Sequence, residues 1–427
     1  MSSKKGINST IKLYKNLNLD VPSRENAYKK YFYLKNFKNC LKKLEIYVKI
    51  HLTNLTERNT AMKAFESHIV YENPLPQLRS RQAFFPFLFE DNGKIGAVFA
   101  IGEAFESVDS TSYICFSEDG GKTFRKPAKM FDFSSERCPI TDYCKVTRLS
   151  DGTLFALGYS YYRDNPDLPL GNPENGGLLD DFIFYSKSKD GGKTWDKPTH
   201  VGCAWGEHVE ASAPIVELND GTLMTPITGF PDWSGRMHSA TCGRALVSRD
   251  GGNSWSDDAV CMDFNGEVTC YEQRICQLAS GLIVNIGWNE NLVNGERMDN
   301  HYTVSSDGGK TWSCPKSTGV RGQASSVCSL GGERLLALHA VRRDTDRPGI
   351  YAYVVDMSRG EWDVVDSALV WEPATPIIKD TKMAEIFAFL KFGQPGAILL
   401  SDGDVMMSHW FAEQGQYKVA ATRISFK

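Results

Sequence analysis

The sequence predicts an all-β fold, a six-bladed β-propeller of four-stranded antiparallel blades. Two repeats running in phase, and the spacing between them, carry that prediction. The first repeat is an eight-residue turn present four times, at Ser117–Phe124, Ser188–Trp195, Ser248–Trp255 and Ser305–Trp312. Each copy has Ser, one variable residue, Asp-Gly-Gly, then Lys-Thr or Asn-Ser and a closing aromatic. The Asp can accept from nearby backbone N–H groups, the Gly pair supplies the positive φ of a tight hairpin, and the aromatic can pack beneath it. The second repeat is a Leu, a Gly shortly after it and a short hydrophobic stretch, and it occurs six times, starting at Leu88, Leu149, Leu218, Leu278, Leu330 and Leu400. Each copy reads as a hairpin turn.

In the first four units the Asp-Gly-Gly turn follows the Leu turn by about thirty residues, which is room for a second and third strand before a turn into a fourth. Four strands recurring at roughly sixty residues describe a propeller blade. The fifth unit carries a degenerate copy of the box, Ser358-Arg359-Gly360-Glu361-Trp362. The sixth has chain for only three strands. Its outer strand is expected from His68–Glu72, which would pair first and last blades and remove exposed edges.

The propeller is expected to span residues 62–427, after a basic extension over 1–61. That extension holds 13 Lys plus Arg against 4 Asp plus Glu, a net of +9, and the remainder holds 35 against 48, a net of −13. Its Lys-, Asn- and Tyr-rich composition reads as a partly helical or disordered appendage, or as translation upstream of a true start at Met62. No nucleic acid or membrane partner is expected. Eleven scattered Cys without metal spacing read as reduced thiols, which points to the cytoplasm. No apolar run reaches the length of a signal peptide or a membrane span. No motif calls for a metal or other cofactor, because the Gly pairs sit in hairpin turns and not between strand and helix.

In a propeller the innermost strand of each blade begins at one mouth of the channel, so residues just before each Leu turn converge there. That register brings in Arg79 and Arg81, Asp142, Glu207 and Glu210, Glu272, Gln323 and Gln394. Loops after the second strands are expected over the same mouth. They would add Glu103, Glu106 and Asp109; Tyr161, Tyr162, Arg163 and Asp164; Trp233, Arg236 and His238; Trp288, Asn289 and Glu290; Arg342, Arg343 and Asp344; and His409 and Trp410. Aromatics, guanidinium groups and carboxylates together supply what a carbohydrate substrate needs: stacking faces, bidentate partners and an acid/base pair. The bland alternative is a polar, water-filled tunnel.

The repeated turn resembles the Asp-box of the sialidase superfamily, and the resemblance covers nearly all of residues 64–427 as architecture. It implies three arginines on a substrate carboxylate, a tyrosine nucleophile paired with a glutamate, and an aspartate acid/base. Glu272 matches the glutamate. Phe84, in Ala83-Phe84-Phe85-Pro86, stands where the first arginine would be, with Arg79 or Arg81 as nearby substitutes. Trp288 stands near the place of the second arginine, Arg342, Arg343 or Arg347 matches the third, and Asp109 is the loose counterpart of the aspartate. Gln394 falls where the tyrosine would be, and an amide is no nucleophile.

The expectation is therefore a glycoside hydrolase of that superfamily using paired carboxylates, on a sugar that need not be sialic acid. Glu272 would be one member of the pair, with Asp142, Glu210 or Asp109 the other. Arg81, Arg274, Arg343, Gln323 and Gln394 would bind substrate, and Trp288 would stack on a sugar ring. The alternative is a non-catalytic sugar-binding or scaffolding propeller. A third reading, a true exo-sialidase with shifted register, requires a tyrosine such as Tyr271 or Tyr161 against Glu272.

Overall fold

The computed structural model describes residues 61–343, 345–374 and 391–426. The basic segment up to residue 60 lies outside the described residues, as does Asp344. Six antiparallel sheets make the six blades, and the described residues contain no helix. Blade one is Gln82–Asp91, Lys94–Gly102, Thr111–Ser117 and Ala128–Lys129, and blade two is Ile140–Arg148, Leu154–Tyr162, Asp181–Ser188 and Thr199–Val201. Blade four is Tyr271–Gln277, Ile283–Trp288, His301–Ser305 and Lys316–Ser317, and blade five is Ser325–Gly331, Arg334–Val341, Gly349–Asp356 and Asp363–Trp371.

Blade three departs from the pattern. Its innermost strand is split into Val209–Glu210 and Val216–Glu217, both paired with Leu223–Gly229, before Gly243–Ser248 and Ser256–Met262 complete the sheet. Pro214 lies in the gap and has no N–H to give the ladder, which accounts for the break. Blade six joins Phe392–Leu399, Val405–Glu413 and Gln416–Ser425 to the first described strand, Ala64–Tyr71. Ala64 pairs with Ser425 and His68 with Ala421, so the ring closes as the sequence predicts.

The four boxes are the turns from third to fourth strands. In the first, Asp119 Oδ1 accepts from the N–H groups of Lys122 (3.1 Å) and Thr123 (2.9 Å), and Thr123 Oγ1 donates to Oδ2 at 2.6 Å. Asp190, Asp250 and Asp307 repeat the pattern. These bonds hold each carboxyl far below the usual carboxylate range. The second Gly of each box abuts the preceding blade. A Cβ on Gly121, Gly252 or Gly309 would come within 2.7, 2.5 and 2.2 Å of Met406, Phe155 and Met224. The closing aromatics join the apolar layers between blades, Trp255 against Phe155 and Trp195 against Phe131. Innermost strands run from the other mouth toward the Leu turns, so the boxes lie at the end of the propeller away from the strand starts.

Candidate functional site

The innermost strands of blades one, four and six each open on a bulge. Register shifts between Phe84 and Phe87, between Tyr271 and Arg274, and between Gly393 and Gly396. The first bulged residue in each is left-handed: Phe85 with φ 54°, Glu272 with 42° and Gln394 with 44°. Such a conformation costs a side-chain-bearing residue on the order of 1–3 kcal/mol and persists only where its surroundings impose it. The three positions are thus equivalent in the ring, and two carry the residues that the strand register had singled out.

Glu272 is held from two sides. Gln394 Nε2 donates to Oε1 at 2.5 Å and Trp288 Nε1 donates to Oε2 at 2.8 Å. Trp288 ends its strand with the ring against Tyr271, centroids 4.7 Å apart. Arg274, 5 % exposed, donates from Nη1 to the Gln273 carbonyl at 2.8 Å and to Ser212 Oγ at 3.3 Å. Lys145, 6 % exposed, donates from Nζ to the Phe85 carbonyl at 2.5 Å. Strand register had not singled out Lys145.

Electrostatics join these groups to Glu210. Burial and then the charge of Glu272 push the Glu210 carboxyl up to about 7, against the opposing pull of Ser212, Arg274 and Lys145. Burial pulls the Lys145 ammonium down to about 7, helped by Arg274 and opposed in part by Glu272 and Glu210. Burial also lowers Arg342 to about 10, with Glu272 resisting. The Tyr159 hydroxyl belongs to the same group, and burial with Glu210, Tyr143 and Glu272 raises it well above 10.0. Two carboxyl groups, the Arg274 and Arg342 guanidinium groups and the Lys145 amine are therefore electrostatic neighbours.

The remaining expected residues have partners of their own. Asp142 is 2 % exposed and ties blade two to blade one, accepting from Thr111 Oγ1 (2.5 Å) and from the Ser112 N–H (3.1 Å). Asp109 organises its own loop, accepting from the Glu103 N–H at 2.9 Å and Ser107 Oγ at 2.7 Å, with Arg81 Nη1 at 3.8 Å. Arg343 pairs with Glu290 at 2.9 Å. The Gln323 side chain accepts from the Arg342 N–H at 3.0 Å, and so props the strand end that carries that arginine. Arg163, 1 % exposed, is a strut between the Glu106 and Leu168 carbonyls.

Three loop expectations are corrected, Trp288 first, as the last residue of the strand Ile283–Trp288. His409 and Trp410 lie inside the strand Val405–Glu413 and are fully buried, and Tyr161 and Tyr162 end the strand Leu154–Tyr162. These second strands are longer than the Leu-turn spacing implied, so residues assigned to loops sit in the sheet. Phe84 is fully buried among Phe105, Trp410 and Tyr417, while its neighbour Phe85 remains partly exposed. All ten described cysteines are free, and most are buried. No helix among the described residues is long and apolar enough to cross a membrane.

A model of the BNR repeat-like domain matches residues 171–366. Among solved structures, a protein of unknown function from Dyadobacter fermentans superposes with a TM-score of 0.64 at 21% identity, over 85% of this chain and 98% of that one. The NanB sialidase of Streptococcus pneumoniae gives 0.57 at 10% identity, over 84% of this chain and 70% of that one. The sialidase of Trypanosoma rangeli, in complex with the inhibitor DANA, gives 0.55 at 15% identity, over 81% and 55%. No curated protein sequence matches. Likeness at these identities speaks to architecture and not to activity. The chain is thus a six-bladed propeller that matches the BNR repeat-like domain over residues 171–366 and is similar in fold to these sialidases.

Proposed function

We propose that the chain is a glycoside hydrolase acting on a carbohydrate through Glu210 and Glu272. The observation that carries this reading is the unequal pair: Glu210 pushed up to about 7 by burial and by the Glu272 charge, on the strand next to a Glu272 whose two oxygens both accept N–H bonds. Two neighbouring carboxyl groups, one of which holds its proton up to about neutral pH, are the arrangement that glycosidic cleavage uses. Glu210 would protonate the leaving oxygen, and Glu272 would act as nucleophile or as base toward water. Arg274 and Arg342, joined by Lys145 below about pH 7, would stabilise negative charge at the pair and orient hydroxyl or acidic groups of the sugar. Partly exposed Phe85 and Trp288 offer ring faces for stacking.

Sialidase chemistry is disfavoured on this reading. Gln394 stands where the nucleophilic tyrosine would be, and no tyrosine hydroxyl is recorded bonding to Glu272 among the described residues. Tyr159 shares the group, but its hydroxyl is raised well above 10.0 and so is not prepared as a nucleophile.

A second reading, a non-catalytic sugar-binding propeller, draws on one observation. Both Glu272 oxygens are already occupied by protein donors, which suits a fixed polar wall as well as a reacting group. Hydrolysis of a panel of aryl glycosides, a sialoside included, by the full chain and by Glu272→Gln and Glu210→Gln separates the readings. Turnover of a non-sialoside abolished by Glu272→Gln supports the hydrolase. Turnover of the sialoside that persists in Glu210→Gln contradicts it, and sugar binding by calorimetry without any turnover favours the binding propeller.

A further inference from the structure

Outside the Glu272 group, the rim between blades two and three brings Asp180, Glu207 and His208 together, with one potential ligand atom from each within 4.8 Å of the others. Asp180 stands just before the third strand of blade two. Its Oδ2 accepts from Arg137 Nη2 at 2.8 Å, a bond that orients the carboxylate. Its Oδ1 faces His208 Nε2 at 3.9 Å. That gap is too long for a hydrogen bond, and a small rotation of the partly exposed Asp180 carboxylate would bring the two atoms to the roughly 3.3 Å that neighbouring tetrahedral ligands of one cation span.

His208 is the second, independent indication. It is 7 % exposed, and its backbone N–H is pinned to Asp181 Oδ1 at 2.6 Å. Its Nδ1 lies 3.3 Å from the Leu179 carbonyl. A carbonyl only accepts, so Nδ1 carries the proton and Nε2 presents its lone pair toward Asp180. No hydrogen-bond partner for Nε2 is recorded among the described residues. A ring N–H donated to a backbone carbonyl, with the other nitrogen free, is the usual posture of a histidine that ligates a metal. Glu207 is exposed and adds the third donor from the adjacent position.

We propose that Asp180, Glu207 and His208 bind a divalent first-row transition cation such as Zn2+ or Mn2+, with water in the remaining positions. One imidazole with two carboxylates suits those ions better than the all-oxygen shell that Ca2+ takes. His208 lies on the same segment as Glu210, so the ion would fasten the start of the split innermost strand. The site does not depend on the hydrolase reading. Strand-by-strand sequence reading misses it, because Asp180 and Glu207 are separated by the third and fourth strands of blade two and meet only in the folded ring.

The test is calorimetric titration of the EDTA-treated, desalted full chain with ZnCl2, MnCl2 and CaCl2, in a Cys314→Ser background that removes an exposed thiol. One equivalent of Zn2+ or Mn2+ is expected to bind and to raise the unfolding midpoint. Glu207→Gln and His208→Asn are each expected to weaken binding at least tenfold. Asn tolerates the left-handed backbone of His208, φ 63°, and Glu207 is exposed, so neither variant needs to unfold the chain. Binding of Ca2+ alone, absence of binding, or affinity unchanged in both variants overturns the proposal.

Discussion

Gln394 Nε2 and Glu272 Oε1 lie 2.5 Å apart, and each residue is the left-handed first member of a bulge, one in blade six and one in blade four. The amide fits a carboxylate as donor and leaves its own Oε1 buried without a partner. Gln394→Ala removes the donor while sparing the Trp288 bond. A hydrogen bond to a charged group contributes about 1.5–3 kcal/mol, so kcat/KM on the best substrate of the panel is expected to drop about ten- to hundredfold. Unchanged kcat/KM would detach Gln394 from the reaction.

Glu210 and Lys145 make stability depend on pH in opposite directions. The Glu210 carboxyl, raised from 4.5 to about 7, keeps its proton where the unfolded chain has released it, so its stabilising contribution is lost as pH rises across that window. Lys145, lowered from 10.5 to about 7, is neutral when folded while still protonated when unfolded, so stability recovers as pH climbs above about 7. Each limb has a slope of at most about 1.4 kcal/mol per pH unit. Urea unfolding across pH 5 to 9, a range of about four units around these values, is expected to show Glu210→Gln flattening the acidic limb and Lys145→Met the alkaline one.

Asp142 accepts from Thr111 and Ser112 of the neighbouring blade, which makes a structural role testable against a reacting one. Asp142→Ala strands the Thr111 hydroxyl and the Ser112 N–H at the junction of blades one and two, a loss of about 1–3 kcal/mol. The melting temperature is expected to fall while kcat/KM of the folded fraction stays within about twofold. Normal melting with lost turnover would instead place Asp142 at the reaction.

The two glycines of one box differ in what surrounds them. Gly251 has φ 70° and open space around an added Cβ, whereas Gly252 has φ 83° and Phe155 at 2.5 Å. Gly251→Ala is expected to cost about 1–2 kcal/mol for its backbone alone. Gly252→Ala adds overpacking against blade two, about 1–3 kcal/mol more. Equal losses in thermal unfolding would mean that contact between the blades does not constrain the second glycine.

The blades were legible because their turns repeat: Asp119 and its three counterparts mark the third-to-fourth-strand corners, and the Leu turns mark the first. Counting back from those turns reached Glu210, Glu272 and Gln394, since a register counted from a turn survives as long as the strand does. Lys145 escaped because Tyr143-Cys144-Lys145-Val146 reads as ordinary alternation, and nothing in that pattern marks the Lys as facing the channel. The equivalence of Phe85 with Glu272 and Gln394 depends on a bulge, which moves a side chain by one place without altering composition. Asp142 was placed on the right strand, but its partners Thr111 and Ser112 belong to another blade, and no local pattern reveals such a neighbour.

Closure of the ring by Ala64–Tyr71 imposes an order on biosynthesis. That strand is made before any blade exists, and its partner Gln416–Ser425 is made after every other described strand. On the ribosome the blades between can form as they emerge, while the waiting strand keeps an unsatisfied edge until Gln416–Ser425 follows. A message truncated ahead of codon 416 yields a ring that nothing can fasten, and such chains are natural prey for chaperones and proteases. Completion of the ring therefore waits on Gln416–Ser425, and those ten residues decide it.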